Sequence, residues 1–276
     1  MTRPTAARSY SFDPHEEVVE VSDDKLGKLR RFNLIMGGLH AVSGVLMVAL
    51  SNDFALGVST FNLNGPPGTD LAQGVTNQLF DVPLGIATSL FLFLSAVFHL
   101  LIATVGFDFY ASELRHGRNR LRWVEYSLSS TLMIVLIALV TNLTDLGALI
   151  AIAFANVSMI LFGWIMEMVN RPDRDTWWTP FWFGCIAGIG PWATVVAYLV
   201  VGLGQEGAEG PPGFVYGIIF TLFMFFNTFA INQWLQYRKK GRWTDYLVGE
   251  RTYITLSLIA KTLLAWQIFA NVLIPT

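Results

Sequence analysis

The chain has 276 residues, 53% hydrophobic and only 14% charged, with a mean hydropathy of +0.50. That balance is a membrane protein's and excludes an ordinary water-soluble enzyme. A formal net charge of −2 suggests no nucleic-acid partner, and the one cysteine, Cys185, cannot form an intrachain disulfide.

Residues 1–28 carry Asp13, Glu16, Glu17, Glu20, Asp23 and Asp24 and read as a polar, partly disordered tail. No apolar core with a cleavage site marks a signal peptide there. Residues 29–276 read as one membrane domain. A span needs ~20 mostly apolar residues, and seven segments qualify: about 32–50, 82–110, 121–140, 146–169, 177–203, 214–237 and 252–274. The expected fold is therefore an all-α bundle of seven transmembrane helices.

The connectors are of two kinds. Those after spans one, three and five contain no Lys or Arg, whereas those after spans two, four and six contain RHGRNRLR, NRPDR and YRKKGRW. The positive-inside rule places the N-terminus in the cytoplasm and the C-terminus outside, as a multi-pass protein of the cell membrane. The connector after span one, roughly 51–81, alternates Phe54, Leu56 and Val58 and then turns at Asn64-Gly65-Pro66-Pro67-Gly68. A small β-hairpin in this first outside loop is expected, with a plain polar loop as the alternative.

Few ionisable groups fall inside the spans: His40 on the first, His99 on the second, Glu125 on the third and Lys261 on the seventh. At ~1.5 Å per residue, His40, His99 and Lys261 lie roughly 14–15 Å in from the same face. Glu125 is shallower, three residues past Arg122. Lys261 is the only one of the 18 Lys and Arg residues inside an apolar run. A lone ammonium in hydrocarbon is costly, so it marks a functional site by default. An amine there points to a Schiff base, whose charge needs a carboxylate. Helical side chains lean toward their own N-terminus, which carries the Lys261 amine past Ser257 toward the Glu125 level. Ser257 and Ser129 are placed to hydrogen-bond the pair. Asp108, Glu113 and Glu167 lie at span ends, nearer the headgroups. The plainer alternatives are Glu125 paired with Arg122, histidines that only pack, and a structural Lys–carboxylate pair without cofactor.

These residues carry a resemblance. Seven spans, Ser257-Leu-Ile-Ala-Lys261 on the last, Arg122-Trp123-Val124-Glu125-Tyr126-Ser127 opening the third, His40 and His99, and the long first loop resemble a heliorhodopsin, a microbial-type rhodopsin of inverted topology. The resemblance implies covalent all-trans retinal on Lys261, Glu125 as counterion, Ser257 beside the imine, and His40 and His99 in the adjoining cavity. It implies a light-sensing photoreceptor, a homodimer in the lipid bilayer, and a signalling partner on the cytoplasmic side. An enzyme activity and a metal are not expected. A polyene needs an apolar slot with aromatic walls, for which Tyr126, Asn156, Met159, Ile160, Pro191, Trp192, Phe223, Phe226 and Gln233 are proposed. Gly184, Gly188 and Gly190 permit close approach of a retinal ring or of a partner helix, and Gly184-x-x-x-Gly188 fits a dimer face.

The alternative function is a light-driven proton pump or light-gated ion channel. Ordinary proton pumps carry a second acid on the third helix, eleven residues beyond the first. Leu136 stands there, and no acid occurs from Ser127 to Val140, which favours a sensor. A transporter or intramembrane enzyme would predict no visible absorbance, and the paired broken segments of transporters are missing from the pattern.

Overall fold

A computed structural model describes residues 19–170, 175–203 and 211–274. The elements run α1 (Asp23–Leu50), β1 (Ala55–Leu63), β2 (Gly74–Pro83), α2 (Leu84–Ala103), α3 (Phe107–Arg115), α4 (Arg120–Val140), α5 (Leu146–Val169), α6 (Thr179–Leu203), α7 (Gly213–Tyr237) and α8 (Tyr246–Ile268). A π-helical turn, Phe269–Leu273, continues α8. Among the described residues, seven helices are long and apolar enough to cross a membrane; α3 is not one of them. The tail acids up to Glu17, together with Arg171 and Arg174 of the fourth connector, lie outside the described residues.

Side-chain caps set the helix starts. Ser22 Oγ accepts from Lys25 N (3.4 Å) with Asp23 and Asp24 in the first turn, so α1 begins inside the expected tail. Asn119 caps α4, Asp145 caps α5 and Asp245 caps α8 through backbone N–H groups at 2.9–3.1 Å. Each such cap contributes about 1 kcal/mol. The Asp245 cap starts α8 six residues before the expected boundary. The expected second span, 82–110, is divided. Its first residues belong to β2, and its end is cut by a turn in which Thr104 N and Gly106 N both donate to Leu101 O at 3.3 and 2.8 Å. Val105, at the apex, is 91% exposed. The short α3 that follows buries Tyr110, Ala111 and Leu114 against the start of α1 and α8, and Glu113 is buried as well.

β1 and β2 form an antiparallel pair, with a register shift between Val58 and Ser59. Val58 inserts into the main apolar core, and Ser59 N donates to Thr144 O at 2.9 Å. Asn52 Nδ2 donates to Val272 O at 3.0 Å, tying this loop to the end of α8. The expected hairpin is therefore present and docked onto the bundle.

The bundle has two unlike ends. Toward the hairpin, Met47, Leu84, Phe91, Ile134, Leu136, Leu139, Val195, Ile218, Leu264 and Ile268 pack into a continuous apolar core. At the other end, where α1, α4 and α8 begin, buried polar and charged side chains concentrate. Lys25 and Asp245, 3.0 Å apart, join the starts of α1 and α8 there. Large apolar residues such as Ile35, Val42, Ile86, Phe154, Ile186 and Phe220 face outward, as a bilayer solvent requires.

Candidate functional site

Lys261 is 3% exposed in the middle of α8. Its Nζ donates to Glu125 Oε1 on α4 (2.6 Å), to Ser95 Oγ on α2 (2.6 Å) and to Ser257 Oγ, one turn earlier on α8 (2.8 Å). Ser95 in turn donates to Glu125 Oε1 at 2.7 Å. The Tyr126 ring lies under the ammonium, 5.3 Å from its centroid. Cation and anion, both buried, thus neutralise each other, and two hydroxyls hold their geometry. Breaking such a pair by removing one partner costs about 3–5 kcal/mol. Ser257 takes the expected position. Ser129 does not: its hydroxyl is buried without a hydrogen-bond partner among the described residues. Ser95 was not expected, although it stands one turn before His99 on the same face of α2.

His40 and His99 meet as expected from their depths. Their rings stack with centroids 5.6 Å apart and planes 11° from parallel. His99 Nδ1 is 2.7 Å from Asn33 Oδ1. Both ring nitrogens of His40 are buried without partners among the described residues. Gly37 allows this approach, since a Cβ there would lie 3.2 Å from His99 Cβ.

A cavity of about 120 Å³ opens from Lys261 between α4, α5, α6, α7 and α8. Along α4 its wall runs from Trp123 to Met133, which is about 15 Å of helix. Of the expected wall residues, Tyr126, Met159, Ile160, Phe226 and Gln233 line it, with Ser129 and Ser257. Asn156, Pro191, Trp192 and Phe223 stand apart from it. Asn156 is buried and donates to Ser130 and Thr131 hydroxyls at 2.9 Å. Trp192 packs edge-on against Phe223 and Phe226, and Phe223 is 44% exposed on the bundle's outer surface. Depth alone does not give rotation about a helix axis, which decides wall or outer surface. Trp123, Phe181, Phe229 and Tyr253 complete the aromatic lining. Gly184 and Gly188 face α5: added Cβ atoms would lie 3.3 Å from Phe162 Cβ and 2.6 Å from Met159 Sδ. These glycines serve close packing of α5 on α6 within the chain.

Three further charges gather beside this site. Arg122, Glu167 and Glu250 are all buried. Arg122 donates from Nη2 to Glu167 Oε1 on α5 (2.6 Å) and from Nη1 to Glu250 Oε2 on α8. Glu167 also accepts from Asn119 N (2.9 Å), Tyr246 OH (2.9 Å) and Trp123 Nε1. Glu250 accepts from Tyr110 OH (3.0 Å) and Asn119 Nδ2 (2.8 Å). Burial and the neighbouring Glu250 hold the Tyr110 phenol well above its ordinary pKa, so it stays a neutral donor. Arg122 therefore partners Glu167 and Glu250, and the alternative Arg122–Glu125 pair does not form. Glu167 does not face headgroups, and Glu113 is likewise buried, holding Arg118 and Arg120 at 2.7–3.0 Å. A spacing signal existed in the sequence: Arg122 precedes Glu125 by one turn, so both face the bundle.

The sequence model of one protein family, described as heliorhodopsin, matches residues 29–273. No curated protein matches the sequence. Solved structures share the fold at low identity. The transmembrane domain of the Salpingoeca rosetta rhodopsin phosphodiesterase is 13% identical, with a TM-score of 0.63 over 90% of this chain and 84% of that one. A light-driven proton pump from Leptosphaeria maculans is 14% identical, with a TM-score of 0.59 over 92% and 98%. A cyanorhodopsin from a Tolypothrix cyanobacterium is 12% identical, with a TM-score of 0.57 over 91% and 96%.

Proposed function

The chain belongs to the heliorhodopsin family, and we propose that it is a light-sensing photoreceptor carrying all-trans retinal on Lys261 and signalling without net ion transport. A retinal chromophore on a lysine is the property of the family, and seven membrane helices place the chain in a lipid bilayer. The observation that carries the reading is the buried Lys261–Glu125 pair at the head of an aromatic cavity.

The residues present suit a retinal. Among the described residues Lys261 is the one amine bordering the cavity, and Trp123, Tyr126, Phe181, Phe226, Phe229 and Tyr253 supply flat apolar walls for a polyene. Bound there, retinal would supply absorption of visible light and photoisomerisation. Glu125 balances positive charge at the Lys261 nitrogen. Ser95 and Ser257 hold both partners by hydrogen bonds. His99, fixed by Asn33 and stacked on His40, provides imidazole nitrogens beside the pair that can pass on a displaced proton.

Several observations favour a sensor over a pump. Past Glu125, the side chains of α4 toward the hairpin end are the packed Met133, Ile134, Leu136, Ile137 and Leu139. From Ser127 to Val140 the helix carries no acid to release a proton on that side of Lys261. Lys and Arg gather at the other end, so that face is assigned to the cytoplasm. A signalling partner would dock there, and the working unit would be a homodimer. A light-driven proton pump or light-gated channel is the second reading. It has the shared fold of the Leptosphaeria pump in its favour, a likeness that extends to the fold alone. No catalytic activity is proposed.

Purified protein given all-trans retinal should become coloured and bleach reversibly, whereas folded Lys261→Ala should remain colourless. Retained colour in Lys261→Ala would reject the assignment. A steady, uncoupler-sensitive pH change in illuminated vesicles, matching the photocycle rate, would replace the sensor with the pump.

A further inference from the structure

Between the Lys261–Glu125 pair and the Arg122 cluster lies a second cavity of about 30 Å³, large enough for a water molecule. Glu125, His99, Ser257 and Asn33 border one side, and Asn119, Arg122 and Glu250 the other. The cluster across it has one guanidinium and two carboxylates, all buried, and so one negative charge without a cationic partner. A buried charge in that condition is costly, and one added proton would remove it.

The two acids are not equivalent. Glu167 accepts four hydrogen bonds, from Asn119, Arg122, Trp123 and Tyr246. A carboxylate has about four acceptor positions, so Glu167 is filled. Glu250 accepts three, from Tyr110, Asn119 and Arg122. Glu250 also borders the small cavity, and Glu167 does not. The neighbours that face Glu250 are Arg122 from α4, Tyr110 from α3, Asn119 from the loop before α4, and Glu167 beyond Arg122. Tyr253 lies against the Arg122 guanidinium, 4.2 Å from ring centroid to Cζ.

We propose that Glu250 is the proton store of this protein, taking up across the small cavity the proton displaced from the Lys261–Glu125 pair. This rests on the photoreceptor reading of that pair. In the step, the N–H bond at Lys261 breaks and its electron pair stays on nitrogen. An O–H bond forms on Glu250, and the cluster goes from one net negative charge to none. The return transfer reverses both changes, and no oxidant or co-reactant is consumed. A proton left on Glu125, 2.6 Å from the nitrogen it came from, would return at once. Glu250 gives the separation that a long-lived state requires. Protonation also weakens the Arg122–Glu250 tie between α4 and α8, close to the face assigned to the cytoplasm.

Infrared difference spectroscopy tests this in two forms. In the reconstituted pigment, the long-lived lit state should show a new carboxylic-acid C=O band that is lost in Glu250→Gln, shifted in Glu250→Asp and kept in Glu167→Gln. In chromophore-free protein, one buried carboxyl should titrate in the wild type and not in Glu250→Gln. A pigment that bleaches reversibly while the band persists in Glu250→Gln, or vanishes in Glu125→Gln alone, would overturn the store and leave the photoreceptor standing. A colourless preparation would end the photoreceptor reading, and a chromophore-free titration unchanged in Glu250→Gln would reject Glu250 independently of colour.

Discussion

Glu125 Oε1 lies 2.6 Å from Lys261 Nζ, and Ser95 Oγ accepts from Lys261 while donating to Glu125. Helices α2, α4 and α8 therefore converge on one charge pair in the middle of the bundle. Glu125→Gln keeps the shape and removes the anion. Loss of one partner of a buried pair should destabilise chromophore-free protein by about 3–5 kcal/mol. In the pigment, positive charge at nitrogen loses its balance mainly in the ground state. Absorption should shift to the red and the pigment should lose its proton at lower pH. An unchanged spectrum and an unchanged spectrophotometric titration would assign the counterion elsewhere.

The stacked imidazoles predict a kinetic effect with little change of colour. Neither His40 nor His99 donates to the Lys261 nitrogen, so replacing either by Ala should keep the absorption maximum nearly in place. If they pass a proton, decay of the lit state should change about a hundredfold, at the lower reach of acid–base effects. Flash photolysis of both variants measures this. Unchanged decay in both would leave the histidines a packing role.

Arg122 holds two carboxylates at once. Arg122→Gln leaves both buried without their cation, and the thermal midpoint should fall by an amount matching about 3–5 kcal/mol. Adding Glu250→Gln should recover part of the loss, because one uncompensated charge is removed with its partner already gone. A double-mutant cycle over melting curves reports the coupling. Strict additivity would mean that the two side chains do not support one another.

Gly163 has a single steric duty. A Cβ there would sit 2.5 Å from the Trp123 ring, whose Nε1 donates to Glu167. Gly163→Ala should push the indole aside, costing about 1–3 kcal/mol as overpacking does. Because Trp123 and Gly163 both line the larger cavity, retinal uptake should slow as well. Gly190→Ala is the control, since nothing lies within 4 Å of its added methyl. Equal effects of the two substitutions on melting and on pigment formation would dismiss the steric account.

Much of this was legible from residue order. Lys261 and Glu125 stand out because ionisable groups are rare in hydrocarbon-length apolar runs, and helical rise sets their depth. The seven spans and the hairpin follow from run length, alternation and turn residues. Arg122, Glu167 and Glu250 were hidden for the opposite reason. They sit at span ends, where charges usually reach headgroups and water; the one-turn spacing of Arg122 to Glu125 was the single local signal, and Glu167 and Glu250 had none. Span two was overextended because its break depends on a hydrogen-bonded turn at Thr104 and Gly106 within an apolar run.

By itself the chain's order determined how many times it crosses a membrane, at what depth each ionisable group lies, and that a lysine must be buried with an acid. Helix rotation and neighbour choice were decided only by tertiary packing. Packing selected Ser95 over Ser129 as the bridging hydroxyl, set Phe223 on the outer surface, and drew Arg122 away from Glu125 to Glu167 and Glu250. Depth is additive along one helix and so can be counted residue by residue. Partnership depends on which faces of several helices meet, and that is a property of the whole bundle.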